Sequence, residues 1–201
     1  MITIVDCGIN NLRSAQKAFE HLGFETKVTR DPADVAVAEK IVLPGVGAFG
    51  AAMKSLQDTD LVEPLREFIA AGKPFLGICL ALQLLFDCSE ELGVHEGLGV
   101  VSGKVERLPD APDLKIPHMG WSALHFPQDS KIFTGVPNGS MVYFVHSYHA
   151  VPQECDVVAA TCRHGVEFVA AVERDNLMAV QFHPEKSSTV GLKILDNFAR
   201  L

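Results

Sequence analysis

Pro74-Phe75-Leu76-Gly77-Ile78-Cys79-Leu80-Ala81-Leu82-Gln83-Leu84-Leu85-Phe86 decides how the rest of the chain is read. Residues 74–78 form an apolar run with the character of a buried strand, and from residue 80 to 86 the spacing turns helical. Cys79 falls at the junction, on a sharp strand-to-helix turn. Gly77 and Ala81, two positions to either side, let the backbone bend tightly and leave room for a ligand beside the sulfur. The first turn of the helix adds unpaired N–H groups and a positive dipole end, both of which favour thiolate over thiol. This is a nucleophile's seat, although a small buried apolar residue is the commonest fate of a free cysteine.

Outward from this unit, apolar runs at 2–5, 26–28, 41–43 and 75–78 alternate with helical patterns at 12–22 and 61–71. That alternation predicts an α/β fold with an open, mostly parallel sheet and helices on both faces. After Gly97 the pattern changes to short runs at 100–108, 141–148, 157–162 and 168–172, which predict antiparallel or mixed strands. A closing helix over 189–200 carries Val190, Ile194, Leu195 and Phe198 at helical spacing. With 48% apolar residues in 201, the chain can bury a sizeable core. No repeat, low-complexity tract or linker divides it, so residues 1–201 are read as a single domain.

A second segment answers the first. Leu177-Met178-Ala179-Val180-Gln181-Phe182-His183-Pro184-Glu185 alternates as a half-buried strand should and ends in His-Pro-Glu. In an extended chain His183 and Glu185 point to the same side, so a carboxylate lies beside an imidazole. Glu185 then holds one ring nitrogen as N–H and leaves the other free to take the Cys79 proton, a Cys-His-Glu triad. An isolated H-x-E is more often a metal ligand pair or a satisfied histidine. Here no second cluster with zinc-like spacing and no C-x-x-C occurs, so no metal is expected.

The third element is Ile41-Val42-Leu43-Pro44-Gly45-Val46-Gly47-Ala48-Phe49-Gly50, an apolar strand entering a glycine-rich loop before a helix. It lacks the G-x-x-x-x-G-K-[ST] pattern of a nucleotide loop. A plain strand-to-helix turn is the dull alternative. We read Val46 and Gly47 as backbone donors to an oxyanion, with the Leu80 amide as the other donor.

Taken together, Pro44-Gly45-Val46-Gly47, Gly77-Ile78-Cys79-Leu80-Ala81-Leu82-Gln83 and His183-Pro184-Glu185 resemble the class I, triad-type glutamine amidotransferases. Asp6-Cys7-Gly8-Ile9-Asn10-Asn11-Leu12-Arg13-Ser14, Pro117-His118-Met119-Gly120-Trp121, Tyr143-Phe144-Val145-His146-Ser147-Tyr148 and His183-Pro184-Glu185-Lys186-Ser187 are similar to the glutaminase subunits of imidazole glycerol phosphate synthases. The resemblance implies hydrolysis of L-glutamine to glutamate and ammonia, with no cofactor. Gln83, His146, Ser147 and Tyr148 would hold the substrate's amino and carboxylate groups. A (β/α)8-barrel cyclase subunit would receive the ammonia in histidine biosynthesis, with Asn11, Trp121, Tyr143 and Lys186 on the side facing it. Without the resemblance, Trp121 reads as a core aromatic and Lys186 as a solvated charge. The chain departs from the family at Ala81, where glycine is usual, at Cys7 and Asn10 in the first loop, and at Ser122 after the tryptophan. A glutaminase serving pyridoxal phosphate synthesis, a free-standing cysteine hydrolase or peptidase, and a noncatalytic binder on the same fold are the alternatives.

Charge and cysteine usage bound the rest. A formal charge of −8 with scattered Lys and Arg argues against general affinity for nucleic acid. No twenty-residue apolar span, signal segment or basic targeting run is read, which predicts a cytoplasmic protein and no membrane association. An odd count of five cysteines without framework spacing predicts reduced thiols. Cys7, Cys88, Cys155 and Cys162 are expected to serve packing alone.

Overall fold

Strands whose every residue is buried need cover on both faces, and Ile2-Thr3-Ile4-Val5, Phe75-Leu76-Gly77-Ile78-Cys79 and Leu177-Met178-Ala179-Val180 are all of this kind. A computed structural model describes residues 1–8, 12–110 and 114–201. In chain order, β1 (Ile2–Val5), α1 (Leu12–His21), β2 (Thr26–Thr29), α2 (Pro32–Val37), β3 (Lys40–Gly45), α3 (Phe49–Asp58), α4 (Val62–Ala70), β4 (Phe75–Cys79) and α5 (Leu80–Leu84) build the first half. The second half contains β5 (Phe86–Ser89), β6 (His95–Glu96), β7 (Val101–Arg107), β8 (His118–Ala123), β9 (Met141–His146), β10 (Tyr148–Pro152), β11 (Val158–His164), β12 (Val166–Arg174), β13 (Leu177–Val180) and α6 (Ser188–Ala199).

The main sheet runs β11-β12-β13-β4-β3-β1-β2. From β13 to β2 the neighbours are parallel, and β11 and β12 extend the edge antiparallel. Alternate residues of each central strand enter opposite cores. Val5, Ile41, Leu43, Phe75, Leu177 and Ala179 pack with residues of α2, α3, α4 and α5, whereas Ile4, Val42, Leu76, Ile78 and Val180 pack with residues of α1 and α6. A second sheet, β10-β7-β5-β6, and the β8–β9 hairpin lie outside this layer. The mostly parallel sheet with antiparallel additions is therefore as the sequence predicts.

Three local expectations are corrected. The helix read over 80–86 ends at Leu84, and Phe86 opens β5. The run 141–148 is two strands, because the chain changes partner at Ser147: β9 pairs with β8, whereas β10 pairs with β7. The strand ending in His-Pro-Glu is neither half-buried nor that long. It is buried on both faces, stops at Val180, and gives way to a single 3-10 turn at Pro184–Lys186. Proline has no N–H to continue a ladder, and the turn begins there.

That turn is clamped from two sides. The Ser187 hydroxyl donates to the His183 carbonyl at 2.6 Å and accepts from the Tyr143 amide at 3.0 Å, tying the turn to β9. Gly191, in the first turns of α6, lies so close that a Cβ there would overlap the Pro184 carbonyl oxygen. Alanine is the better helix former by about 1 kcal/mol. The overlap costs more, because the obstacle is backbone. Gly191→Ala is expected to destabilise the fold by roughly 1–3 kcal/mol, read as a lower urea midpoint at unchanged m-value.

Candidate active site

β4 ends between two neighbours that end with it. Gly45 of β3 is in register with Cys79, and Val180 of β13 is in register with Ile78, so residues 45, 79 and 181 finish side by side at the carboxyl edge. Open parallel sheets bind ligands at this edge. Cys79 itself has φ 58° and ψ −109°, a backbone conformation rare for a residue with a side chain. The bend leaves no space beside it. A Cβ on Gly77 would lie 3.1 Å from the Ala179 methyl and 3.2 Å from the Ala81 carbonyl carbon, and one on Gly45 would lie 3.1 Å from the Ala81 amide. Ala81 is itself fully buried in the core cluster and does not line the cavity, so its methyl group takes no ligand space.

A cavity of about 280 Å³ opens over the elbow. The expected nucleophile and oxyanion residues, Cys79, Val46, Gly47 and Leu80, line it together with Gln83, His146, Ser147, Tyr148 and His183. Its size is at the lower end for small-molecule sites and suits one amino-acid-sized ligand. Glu185 stands behind His183, its Oε1 2.8 Å from the imidazole Nδ1. The contact expected from an extended chain is thus made across the 3-10 turn instead. Nε2 of His183 and the second carboxylate oxygen of Glu185 are buried without a hydrogen-bond partner among the described residues.

Burial works against a charge on His183, yet the nearby sulfur of Cys79 and the carboxylate of Glu185 outweigh it and push the imidazole up from 6.5 to about 10. The sulfur is therefore near enough to act on the ring, although no aligned hydrogen bond joins it to Nε2. Catalytic contacts are often loose before substrate binds.

His146, in the same cavity wall, is the opposite case. Burial drives it down from 6.5 to about 3, the Tyr148 carbonyl offsets part of this, and His118, His149 and His164 push it further down. It is neutral, which fixes the tautomers. The Tyr148 carbonyl only accepts, so His146 donates to it from Nδ1 at 2.9 Å and accepts at Nε2 from His118 Nδ1 at 3.0 Å. His118, held down to about 4 by burial and by His164, then accepts at Nε2 from the Ser122 hydroxyl at 2.9 Å. Ser122, one of the departures from the family pattern, thus ends a buried relay. Cys7, another, lies against β3 with its sulfur 3.7 Å from the Pro44 carbonyl.

Sequence reasoning missed Glu91, which follows β5, lines the cavity and accepts at 2.5 Å from the Phe49 amide at the start of α3. Its only signal was a carboxylate in a loop, which is no signal. Gln181 was also missed; it donates to Cys79 Sγ at 3.8 Å.

Away from the cavity, Trp121 and Tyr143 are paired across β8 and β9 with ring centroids 6.2 Å apart, and Lys186 Nζ stands 5.9 Å from the Tyr143 ring centre. Trp121 is 49% exposed, so its reading as a core aromatic fails. Asn11, assigned with them, lies outside the described residues. None of the five cysteines is in a disulfide. Cys7 and Cys162 are buried as expected, but Cys155 is exposed and does not serve packing.

A family model described as class-I glutamine amidotransferase matches residues 3–201. The chain is 54% identical to the imidazole glycerol phosphate synthase subunit HisH of Syntrophotalea carbinolica, over 98% of each chain. It is 51% identical to the subunit of the same name in Aquifex aeolicus, over 98% of this chain and 95% of that one. Among solved structures, PurLQS from Thermotoga maritima superposes with a TM-score of 0.78 at 18% identity, covering 99% of this chain and 97% of that one. A structure titled glutamine amidotransferase gives 0.77 at 19% identity, over 100% and 98%. At such identities these two speak for the fold alone.

The neutral histidines make a stability prediction. His118 and His146 have folded values below 6.5, so the unfolded chain binds more protons between the two values, and stability is full above pH 6.5 and lost as pH falls through about 4 and about 3. Urea unfolding at a series of pH values should show this loss, and His118→Phe should flatten the slope between 6.5 and 4.

Proposed function

The chain belongs to the class-I glutamine amidotransferase family, and from that premise we propose that it is the glutaminase subunit of an imidazole glycerol phosphate synthase. It hydrolyses L-glutamine to glutamate and ammonia, and residues 1–201 act as a single amidotransferase domain. The observation that carries this reading is the His183–Glu185 pair, with Nε2 unengaged in a cavity that also holds Cys79 at a strained elbow.

In the mechanism, the Cys79 thiolate attacks the side-chain amide carbon of glutamine. The carbonyl oxygen becomes an oxyanion, met by backbone N–H groups at Val46, Gly47 and Leu80. His183, protonated through its raised affinity, gives its proton to the amide nitrogen, and ammonia leaves as the thioester forms. Water then loses a proton to the same imidazole and attacks the thioester, releasing glutamate and regenerating the thiolate. Glu185 keeps Nδ1 as the donor throughout. Glu91 is the carboxylate in the cavity and takes the substrate's ammonium group. Gln83 spends its NH2 on Tyr148 and Gln181, so it offers substrate only its oxygen. Ser147, His146 and Tyr148 shape the remaining wall, with His146 neutral.

Ammonia is wasted unless a second subunit takes it, and the relatives are each one subunit of a synthase. The partner is a (β/α)8-barrel cyclase that combines ammonia with its ribonucleotide substrate to give imidazole glycerol phosphate and aminoimidazole carboxamide ribonucleotide. Support for its docking side comes from the β8–β9 hairpin, where Met119, Trp121 and Met141 are exposed beside Tyr143 and Lys186. No helix among the described residues is long and apolar enough to cross a membrane. Synthesis of a soluble metabolite supports a cytoplasmic location.

Two experiments test this. With the cyclase present, Cys79→Ala abolishes glutamine hydrolysis, and Glu185→Gln lowers kcat and brings the alkaline limb of the pH–rate profile down from about 10 towards 6.5, since one of the groups that raise His183 is gone. Retained turnover in Cys79→Ala refutes the nucleophile. The glycine-rich oxyanion segment further implies gating, with glutaminase activity low in the isolated chain and raised in kcat when the cyclase and its ligand bind. Steady-state assay of the free chain at the full complex rate would exclude that gating.

A further inference from the structure

Hydrogen-bond direction can be read along the buried amides behind the nucleophile. A backbone carbonyl only accepts, so the atom of Gln83 that lies 2.9 Å from the Tyr148 oxygen is its NH2 nitrogen. The same nitrogen is 3.0 Å from the Gln181 side chain, which must therefore present its oxygen. The Gln181 NH2 group is left facing Cys79 Sγ at 3.8 Å. Gln83 cannot flip without setting its oxygen against the Tyr148 carbonyl, and with Gln83 so fixed Gln181 cannot flip without setting its NH2 group against that of Gln83.

Gln181 is fully buried. It follows Val180 in β13, whose register with β4 sets it beside Cys79, and its backbone amide is pinned to the Ala170 carbonyl at 2.8 Å. We propose that Gln181 is a further catalytic residue of the glutaminase: a carboxamide that donates to the Cys79 sulfur, favours thiolate over thiol and fixes the line along which the sulfur attacks. This rests on Cys79 being the nucleophile.

The chemistry gives such a donor a distinct task. The groups around the sulfur that titrate are His183, and across the cavity Glu91, His146 and Tyr148. His183 loses its charge each time it protonates the departing ammonia, so its support for an anionic sulfur lapses within every turnover. An amide never titrates. It bonds more strongly to a thiolate than to a thioester sulfur, so it raises the share of thiolate available before attack and assists the later expulsion of the thiolate.

Gln181→Met keeps length and removes the donor. Carbamidomethylation of Cys79 by iodoacetamide, followed on the Cys79 peptide because the exposed Cys155 reacts as well, should be about tenfold slower at neutral pH, the scale of one hydrogen bond to an ion. Its rising limb should move to higher pH. With the cyclase present, kcat should fall while KM changes little, since Gln181 does not line the cavity. In the unmodified protein, the Gln181 side-chain amide resonance should titrate with the same midpoint as the alkylation, which keeps the test independent of how well the variant folds. An alkylation profile unchanged in Gln181→Met, or an amide resonance indifferent to the state of the sulfur, overturns the proposal and leaves the glutaminase reading intact. Hydrolysis that survives Cys79→Ala overturns both.

Discussion

Three parallel strands that stop at the same level govern everything chemical in this molecule. β3, β4 and β13 lie side by side, and the first residues beyond or at their ends are Gly45, Cys79 and Gln181. From that edge the glycine-rich segment leaves on one side of Cys79 and the histidine-bearing segment on the other. Closeness is obtained by removing side chains: glycine at 45 and 77 and alanine at 81 and 179 permit a bend that forces Cys79 to a positive φ. Such strain costs of order 1–3 kcal/mol and persists because the surrounding core leaves no alternative conformation.

The same cavity holds two histidines with opposite character, and the difference comes from their partners. His183 has a carboxylate on one nitrogen and the Cys79 sulfur near the other, which together overrule burial and raise the ring's hold on its proton. His146 has a carbonyl and another imidazole, neither of which repays the loss of solvent, and it stays neutral. Burial is thus compatible with a ring that holds its proton in one place and a neutral link in the other. The Tyr148 carbonyl joins both designs, accepting from His146 on one side and from Gln83 on the other. A continuous set of hydrogen bonds thus runs from Ser122 on the outer hairpin to the sulfur of Cys79.

The strands of the parallel half, the elbow at Cys79 and the pairing of His183 with Glu185 were legible in the sequence because each is a local pattern: an apolar run, a small-residue bend, an H-P-E terminus. The length of β13 was misjudged since alternation in Leu177 to Phe182 was read as one wet face, whereas both faces meet separate cores. Glu91 and Gln181 escaped for another reason. Neither stands in a pattern of its own, and each matters only through what the tertiary fold brings beside it, an amide of α3 in one case and the sulfur in the other.

Trp121 is the single tryptophan of the chain, and it stands half in solvent on the hairpin, edge-on to one of the two tyrosines. Indole emission responds to the polarity around the ring. Any surface that settles on β8 and β9 strips water from that one fluorophore, with no other indole to dilute the change. The molecule accordingly carries its own optical report of contact at this hairpin, at the outer end of the relay that reaches Cys79.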